Sequence, residues 1–421
     1  METKDWRPKF VSKGVYGCVF SPPPLCKRRK EGESNPETIG KIFSNVDIYK
    51  EEKDTYDNII AKVNADNKAT PKLFKGCDVF LSSIPREERM KCDANLEVVQ
   101  EVRKPYKQII MEHGGTSFKE MDDEAFLKTG LLKIIRLMDP VMDVLRELDR
   151  KGYIHRDIKP ANMLLSSDNN KIFLIDYGLL EKKKMSYSQE NIKVLKHNYV
   201  FYPLEFFFLG ELFDADSTGR NFDEQKERGN ESLKNKLYKE WKSLFPLFKN
   251  VYGDAFPHSL ENLFSKEKQS AQYAAFKNRL NADSQFNATK DIMDYANKNW
   301  SDKVDVFMMA VSLFQIIVRV LKYEKTSKKN VSDIKNHPKF YFDLLRLISD
   351  AMHFDPYARL NMAQFHKEWR ALHKKYVDVF APEKEAAKTN VNTDNATVYQ
   401  SAKSTNTSAS YKSAKSRWES A

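Results

Sequence analysis

Glycine is scarce in this chain. Fourteen glycines in 421 residues are too few for a collagen-like repeat and argue against a turn-dense β-sandwich. Cysteine is scarcer still: Cys18, Cys26, Cys77 and Cys92 are all there are. No two of them form C-x-x-C, and no His or Cys cluster has zinc spacing, which removes the common zinc and thioredoxin-like readings. Thiols this sparse suit a reduced intracellular, cytoplasmic setting as the default. METKDWRPKF has no apolar leader run, so it does not read as a signal peptide. The longest apolar run, VFMMAVSLFQIIV at 306–318, falls short of the roughly 20 residues that cross a bilayer. It predicts a buried helix and no membrane span. A stripe of one charge sign is missing too. The 70 Lys and Arg alternate with 59 Asp and Glu for a net +11. That diffuse excess suits solubility, and no motif predicts a specific nucleic-acid partner.

With 41% hydrophobic and 12% aromatic residues, the chain can fill sizeable cores, and its length predicts two or three packed units. KFVSKGVYGCVF (9–20) reads as strand, glycine turn, strand, and SPPPLCKRRKEGESNPE as a loop. TIGKIF (38–43) is a short strand. In the following charged segment Ile48, Tyr56, Ile59, Ile60 and Val63 are spaced for one buried helix face. KLFKGCDVF suits a strand and SSIPREERMKCDAN a loop. YKQIIMEHGG (106–115) is a strand ending in a glycine turn. Residues 120–151 read as one long helical stretch with Leu132, Ile135, Leu137, Val141, Val144, Leu145 and Leu148 inward. The first hundred or so residues are thus strand-rich and the rest helix-rich. Residues 211–298 are polar and mainly helical. Residues 382–421 read as a disordered tail with a small repeat, YQSAKS and YKSAKS.

One stretch, YIHRDIKPANMLL (153–165), packs charges between apolar flanks. Asn162 follows Asp157 by five residues, Lys159 stands between them, and KIFLIDYG closes on Asp176-Tyr177-Gly178. Asn162 and Asp176 are oxygen ligands of the kind magnesium takes, with water and phosphate completing its shell. Asp157 beside Lys159 suits transfer to a hydroxyl, the carboxylate orienting the proton and the ammonium meeting negative charge.

HRDIKPAN resembles the catalytic loop of eukaryotic-type Ser/Thr protein kinases, and Asp176-Tyr177-Gly178 is similar to that family's Asp-Phe-Gly. Other pieces follow in the family's order. SKGVYGCV resembles the Gly-rich loop, with Ser12 at its first glycine and Gly14, Val15, Tyr16, Gly17 and Val19 following. Lys41 falls at the phosphate-binding lysine. Its helix partner is Glu52, with Glu51 the runner-up. YPLE resembles Ala-Pro-Glu and supplies Glu205, whose partner is Arg359. Asp305 falls where an aspartate braces the catalytic loop from below. Within the family the chain looks closest to the divergent kinases of large cytoplasmic DNA viruses, which similarly read YPLE-F and carry long insertions.

The resemblance implies an α+β, bilobal fold. A small β-rich lobe (1–111) and a hinge (112–117) precede a helical lobe (118–381) with an insertion at about 211–298, then the 382–421 tail. It implies ATP and Mg2+ (Mn2+ in its place) as cofactors, and Ser/Thr hydroxyls of proteins, the chain itself included, as acceptors. Gly14 and Gly17 would cover the phosphates, Lys41 would hold them, and Asn162 and Asp176 would hold the metal. Met111 would stand at the back of an adenine pocket walled by Val19, Ile39 and Leu164, with backbone near Glu112 and His113 binding the base. His155 would brace the loop as a buried imidazole. Arg156 would answer a phosphate on Ser186, Tyr187, Ser188 or Tyr199. Alternatives are a small-molecule phosphotransferase and a pseudokinase scaffold. Oligomeric state is open.

Overall fold

The structure, a computed structural model, describes residues 7–14, 17–27, 37–64, 68–92, 104–188, 201–206, 263–282, 289–327 and 336–380, with single positions at 209, 239, 242 and 334. Val15, Tyr16, Tyr199, most of 211–262 and the whole 382–421 tail lie outside the described residues. The described part is mixed α+β. A five-stranded antiparallel sheet is built by β1 (Lys9–Gly14), β2 (Gly17–Ser21), β3 (Thr38–Phe43), β4 (Leu73–Phe80) and β5 (Pro105–Glu112), in the order β1-β2-β3-β5-β4.

Alternation of side chains along each strand gives this sheet two dissimilar faces. On the inner face Ile39, Lys41 and Phe43 of β3 stand opposite Met111, Ile109 and Lys107 of β5. The helix Val46–Thr55 covers that face through Ile48 and Tyr49, which pack on Phe43, Ile109 and Met111. Asn45 starts this helix by accepting from the N–H of Asp47 at 2.7 Å. On the outer face Cys18, Ile42, Gln108 and Cys77 form one row across the four strands β2, β3, β5 and β4. Glycine is required where β2 meets β3: a Cβ at Gly17 would lie 2.1 Å from the Ile42 carbonyl oxygen.

The outer face carries its own small core of Cys18, Phe20, Ile42, Val79, Leu81, Ile84, Cys92 and Tyr106. Two expectations change here. SSIPREERMKCDAN is more than a loop: Arg86–Met90 is a helix, and Leu81, Ile84 and Cys92 around it are buried. Five helical residues are too few for a 3.6-residue period to be legible. The cysteines are also not free thiols. Cys18 is bonded to Cys92 and Cys26 to Cys77, against the reduced-thiol expectation.

The 120–151 stretch is three helices rather than one, Asp123–Thr129, Leu131–Leu137 and Asp139–Arg150. Gly130, with φ +80°, ends the first, and Pro140 sits at the start of the third, where its missing N–H costs nothing. The break rotates the apolar face. Leu131 and Ile134 are buried with Ile135, while Leu132 and Leu137 are half-buried. Val141, Val144, Leu145 and Leu148 are buried as expected.

At the centre of the helical part runs Val304–Ser327, which packs on Asp123–Thr129 and Pro338–Ala351. By length and apolarity alone the Ser301–Tyr323 stretch could cross a membrane, but 89% of its apolar window is buried inside the molecule. It is the core helix that the apolar run predicts. Lys266–Ala282 and Thr289–Asn299 lie in the stretch read as an insertion. Phe276 and Ala296 are nevertheless fully buried in the main core, so this part of the stretch belongs to the body of the molecule.

Candidate functional site

The short strands β6 (Thr116–Ser117), β7 (Tyr153–Ile154), β8 (Met163–Leu165), β9 (Ile172–Leu174) and β10 (Glu181–Lys182) frame the charged stretch. β8 pairs with β9, and β10 with β7. The turn between β7 and β8 is held from beneath by Asp305, at the start of the core helix. Its Oδ2 accepts from the N–H of His155 at 2.7 Å and its Oδ1 from the N–H of Arg156 at 2.9 Å. Two backbone donors on one buried carboxylate fix the loop with few degrees of freedom. Arg156 adopts φ +63°, a conformation costing a non-glycine residue about 1 kcal/mol or more. The Asp305 clamp and the bond from Arg156 Nε to the Leu179 carbonyl, 2.9 Å, offset that cost.

Asp157, Lys159 and Asn162 then converge. Asn162 donates through Nδ2 to the Asp157 carbonyl and to Asp157 Oδ2, each at 2.8 Å. Lys159 Nζ lies 2.9 Å from the same Oδ2. Both amide donor bonds of Asn162 go to Asp157, which turns its carbonyl oxygen toward any incoming cation. The Ile175 N–H bonds the Asn162 carbonyl at 3.0 Å, so Asp176 follows directly beside Asn162. Asp176 is exposed and left-handed, with φ +63°. Asn162 and Asp176 are two oxygen donors on adjacent backbone, a fit to a hard divalent cation that keeps several other oxygen ligands. Among the described residues no group of three or more His, Cys, Asp or Glu could hold a metal by itself.

Across from this cluster, Lys41 on β3 meets Glu52 on the Val46–Thr55 helix. Lys41 Nζ lies 2.8 Å from Oε1 and 2.6 Å from Oε2. Glu52 is buried and Glu51 exposed, which decides between the two candidates. Burial pushes the Glu52 carboxyl up, and Lys41 opposes it. A stack of rings joins the two sides. Tyr56, one helical turn after Glu52, meets Tyr177 edge-on at 5.6 Å, and Tyr177 lies 4.8 Å from the His155 ring. Sequence reading placed Tyr56 on the inward face but not in this stack. Its spacing of four from Glu52, an i, i+4 pair, was the available signal. His155 is fully buried, and its Nδ1 accepts from the Asp157 N–H at 3.3 Å. Its burial is as expected.

Val19, Ile39 and Met111 lie on neighbouring strands of the sheet. Val19 faces the same side as Lys41, its partner in the β2–β3 register, and Ile39 is opposite Met111. Leu164 lies under the 112–117 segment, since a Cβ at Gly114 would come within 2.5 Å of its Cδ1. The N–H groups of Glu112 and His113 are already engaged, with the carbonyls of Lys72 at 2.9 Å and Glu37 at 2.8 Å. The Gly115 N–H goes to His113 Nδ1. Of residues 112–115, Gly114 is the one whose N–H meets no acceptor among the described residues.

Glu205 and Arg359 form a fully buried bidentate pair, with bonds of 2.6 and 2.9 Å. The candidate phosphate acceptors fare differently. Ser186 and Tyr187 are fully buried, Ser188 is half-buried, and Tyr199 lies outside the described residues. Arg156 has Nη1 buried without a partner among the described residues. No family model matches the chain.

Proposed function

We propose that this chain is a protein kinase that transfers the γ-phosphate of ATP to Ser or Thr hydroxyls of proteins. The observation that carries the reading is the convergence of Lys159 and Asn162 on one carboxylate oxygen of Asp157, with Asp176 beside Asn162. The Lys41–Glu52 pair faces it from the sheet. With Oδ2 of Asp157 engaged, Oδ1 is the atom left to orient an acceptor hydroxyl. Lys159, 2.9 Å from that carboxylate, meets the negative charge of the moving phosphoryl group. Lys41, pinned by both oxygens of Glu52, presents its remaining ammonium hydrogen to phosphate oxygens. Asn162 and Asp176 would hold magnesium, which supplies charge neutralisation at the phosphates when bound. Gly114 N–H, beside Leu164, is the donor suited to a nucleobase edge, and Met111, Ile39 and Val19 would wall the base with Leu164. Nearly all the work in such a site is positioning and electrostatics.

The test is labelled-phosphate transfer from Mg-ATP to a basic protein, to casein and to the chain itself, in wild type, Asp157→Ala and Asp176→Ala. Wild type should yield phosphoserine or phosphothreonine. Each variant should lose about a thousandfold, equivalent to about 4 kcal/mol of barrier. A folded wild type that binds nucleotide without transferring phosphate would favour the scaffold reading. Transfer to small alcohols but to no protein would favour the small-molecule phosphotransferase.

A further inference from the structure

Tyr187 is a buried ionisable group that the proposed chemistry does not use. It is also one of the candidate phosphate acceptors of the segment after Asp176. Its side chain is fully buried. Its hydroxyl donates to Glu205 Oε1 at 3.3 Å, and its backbone N–H donates to Asn297 Oδ1 at 2.8 Å. Its ring stacks on Phe206 at 4.7 Å and meets Trp300 edge-on at 6.2 Å. The carboxylate it binds is the one that Arg359 holds with two further bonds. Burial, with Glu205 beside it, pushes the Tyr187 hydroxyl well above its usual range, so it serves as a neutral donor.

The chain leading to Tyr187 is tied to the catalytic loop at each step. Arg156 Nε holds the Leu179 carbonyl, β10 pairs with β7, and the Lys183 N–H meets the Gly152 carbonyl at 2.9 Å. Lys183 also pairs with Asp149. Tyr187 is the last anchor in this series among the described residues. Its bond to Glu205 spans eighteen residues of sequence and joins the segment after Asp176 to the most deeply buried ion pair described.

We propose that Tyr187 is a positioning residue for the protein acceptor. Through Glu205 it fixes the segment that follows Asp176, and so the surface over which an acceptor hydroxyl reaches Asp157. This rests on the kinase reading. Tyr187 acts through Glu205 and touches neither nucleotide nor acceptor.

The test compares wild type with Tyr187→Phe, which keeps the ring stack and removes the hydroxyl, and with Asn297→Ala, which removes the backbone anchor. The KM for casein and the KM for ATP are measured separately. Hydrogen exchange is followed at Glu181–Ser188 and at Tyr202–Phe206. One hydrogen bond to a charged group predicts about a tenfold rise in the acceptor KM for Tyr187→Phe, with the ATP KM within about twofold. Exchange should quicken in those two stretches and stay unchanged in the Val304–Ser327 helix. Asn297→Ala should move the same quantities in the same direction. Equal rises in both KM values would make Tyr187 a general structural residue and overturn the proposal. Unchanged acceptor KM, or phosphate found on Tyr187 in active protein, would overturn it as well. A wild type that binds nucleotide yet transfers nothing would fail the kinase reading instead. Exchange would then decide separately whether the tether exists, and equal exchange in wild type and Tyr187→Phe would sink that too.

Discussion

The sheet side and the helical side of this molecule are held together in different ways. The sheet divides its apolar residues between two faces. Eight buried residues form the core on one, and three buried residues with a few half-buried neighbours form it on the other. Neither is large, and two disulfides cross-link the outer one. The helical side has one continuous core around Trp300, Trp369 and the Val304–Ser327 helix, with Glu205 and Arg359 paired inside it. Small cores need covalent help, and a large core can carry a buried charge pair. Lys41, Val19, Ile39 and Met111, proposed to grip nucleotide, therefore sit on the stapled part, with Leu164, Asn162 and Asp176 completing the site from the other. The groups proposed to orient the acceptor sit on the part that depends on packing.

Reducing both disulfides is the strongest way to break this contrast. They link residues 74 and 51 apart in sequence, and closing loops of that size is worth about 4 kcal/mol each by chain entropy. Reduced protein, or Cys18→Ala with Cys26→Ala, should melt in two steps. Hydrogen exchange should assign the lower step to residues 9–112. One unchanged cooperative melt would mean that the sheet needs no staples. On the helical side the matching cut is Arg359→Leu, which leaves Glu205 charged, fully buried and unpaired. Denaturant titration should find a loss of about 3–5 kcal/mol. The double variant with Glu205→Leu should recover much of it, because the strain comes from the orphaned charge.

A finer cut separates two neighbouring carboxylates. Glu52→Gln should lower phosphate transfer by about ten- to a hundredfold, the worth of a charge-assisted bond at Lys41. Glu51→Gln, on the exposed side of the same helix, should change it by less than about twofold. Equal effects would mean that the Lys41–Glu52 pair does not position the lysine.

These contrasts also mark what could be read without coordinates. The strands β1, β2, β3 and β5, the core helix, and the pairs Lys41–Glu52 and Glu205–Arg359 were legible because each follows from local alternation or from a motif. The two disulfides were not. Cys92 follows the Arg86–Met90 helix and Cys26 bridges to Val79 outside the named strands, so both meet their partners through tertiary folding that no local spacing encodes. The breaks at Gly130 and Pro140 were hidden by an apolar pattern that continues across them. The burial of Ser186 and Tyr187 was invisible for a related reason. A polar SYS triplet reads as surface until Glu205, Phe206 and Asn297 arrive from elsewhere in the chain to receive it.

The smallest expected effect is the one that acid should produce, and it too divides the two sides. His155 and His353 both have their imidazoles held below the usual histidine range by burial, and both lie on the helical side. For His155 the nearby carboxylates of Asp305, Asp157 and Asp176 oppose that shift without reversing it. The geometry agrees, since Nδ1 of His155 accepts the Asp157 N–H and a proton there would face a donor. A histidine depressed in the folded state binds its proton more readily when unfolded. Its stabilisation is therefore complete above the ordinary value of 6.5 and is lost as pH falls from there toward the folded value. Each such proton contributes at most about 1.4 kcal/mol per pH unit. Denaturant titrations at pH 7.5, 6.5 and 5.5 should show a loss confined to the lower interval, and His155→Phe, which preserves the contact with Tyr177, should flatten it by roughly one proton's worth. Hydrogen exchange at pH 5.5 should quicken first around residues 153–163, with the disulfide-stapled sheet unaffected. Acid loss appearing first in the sheet would reverse the assignment of weak points between the two sides.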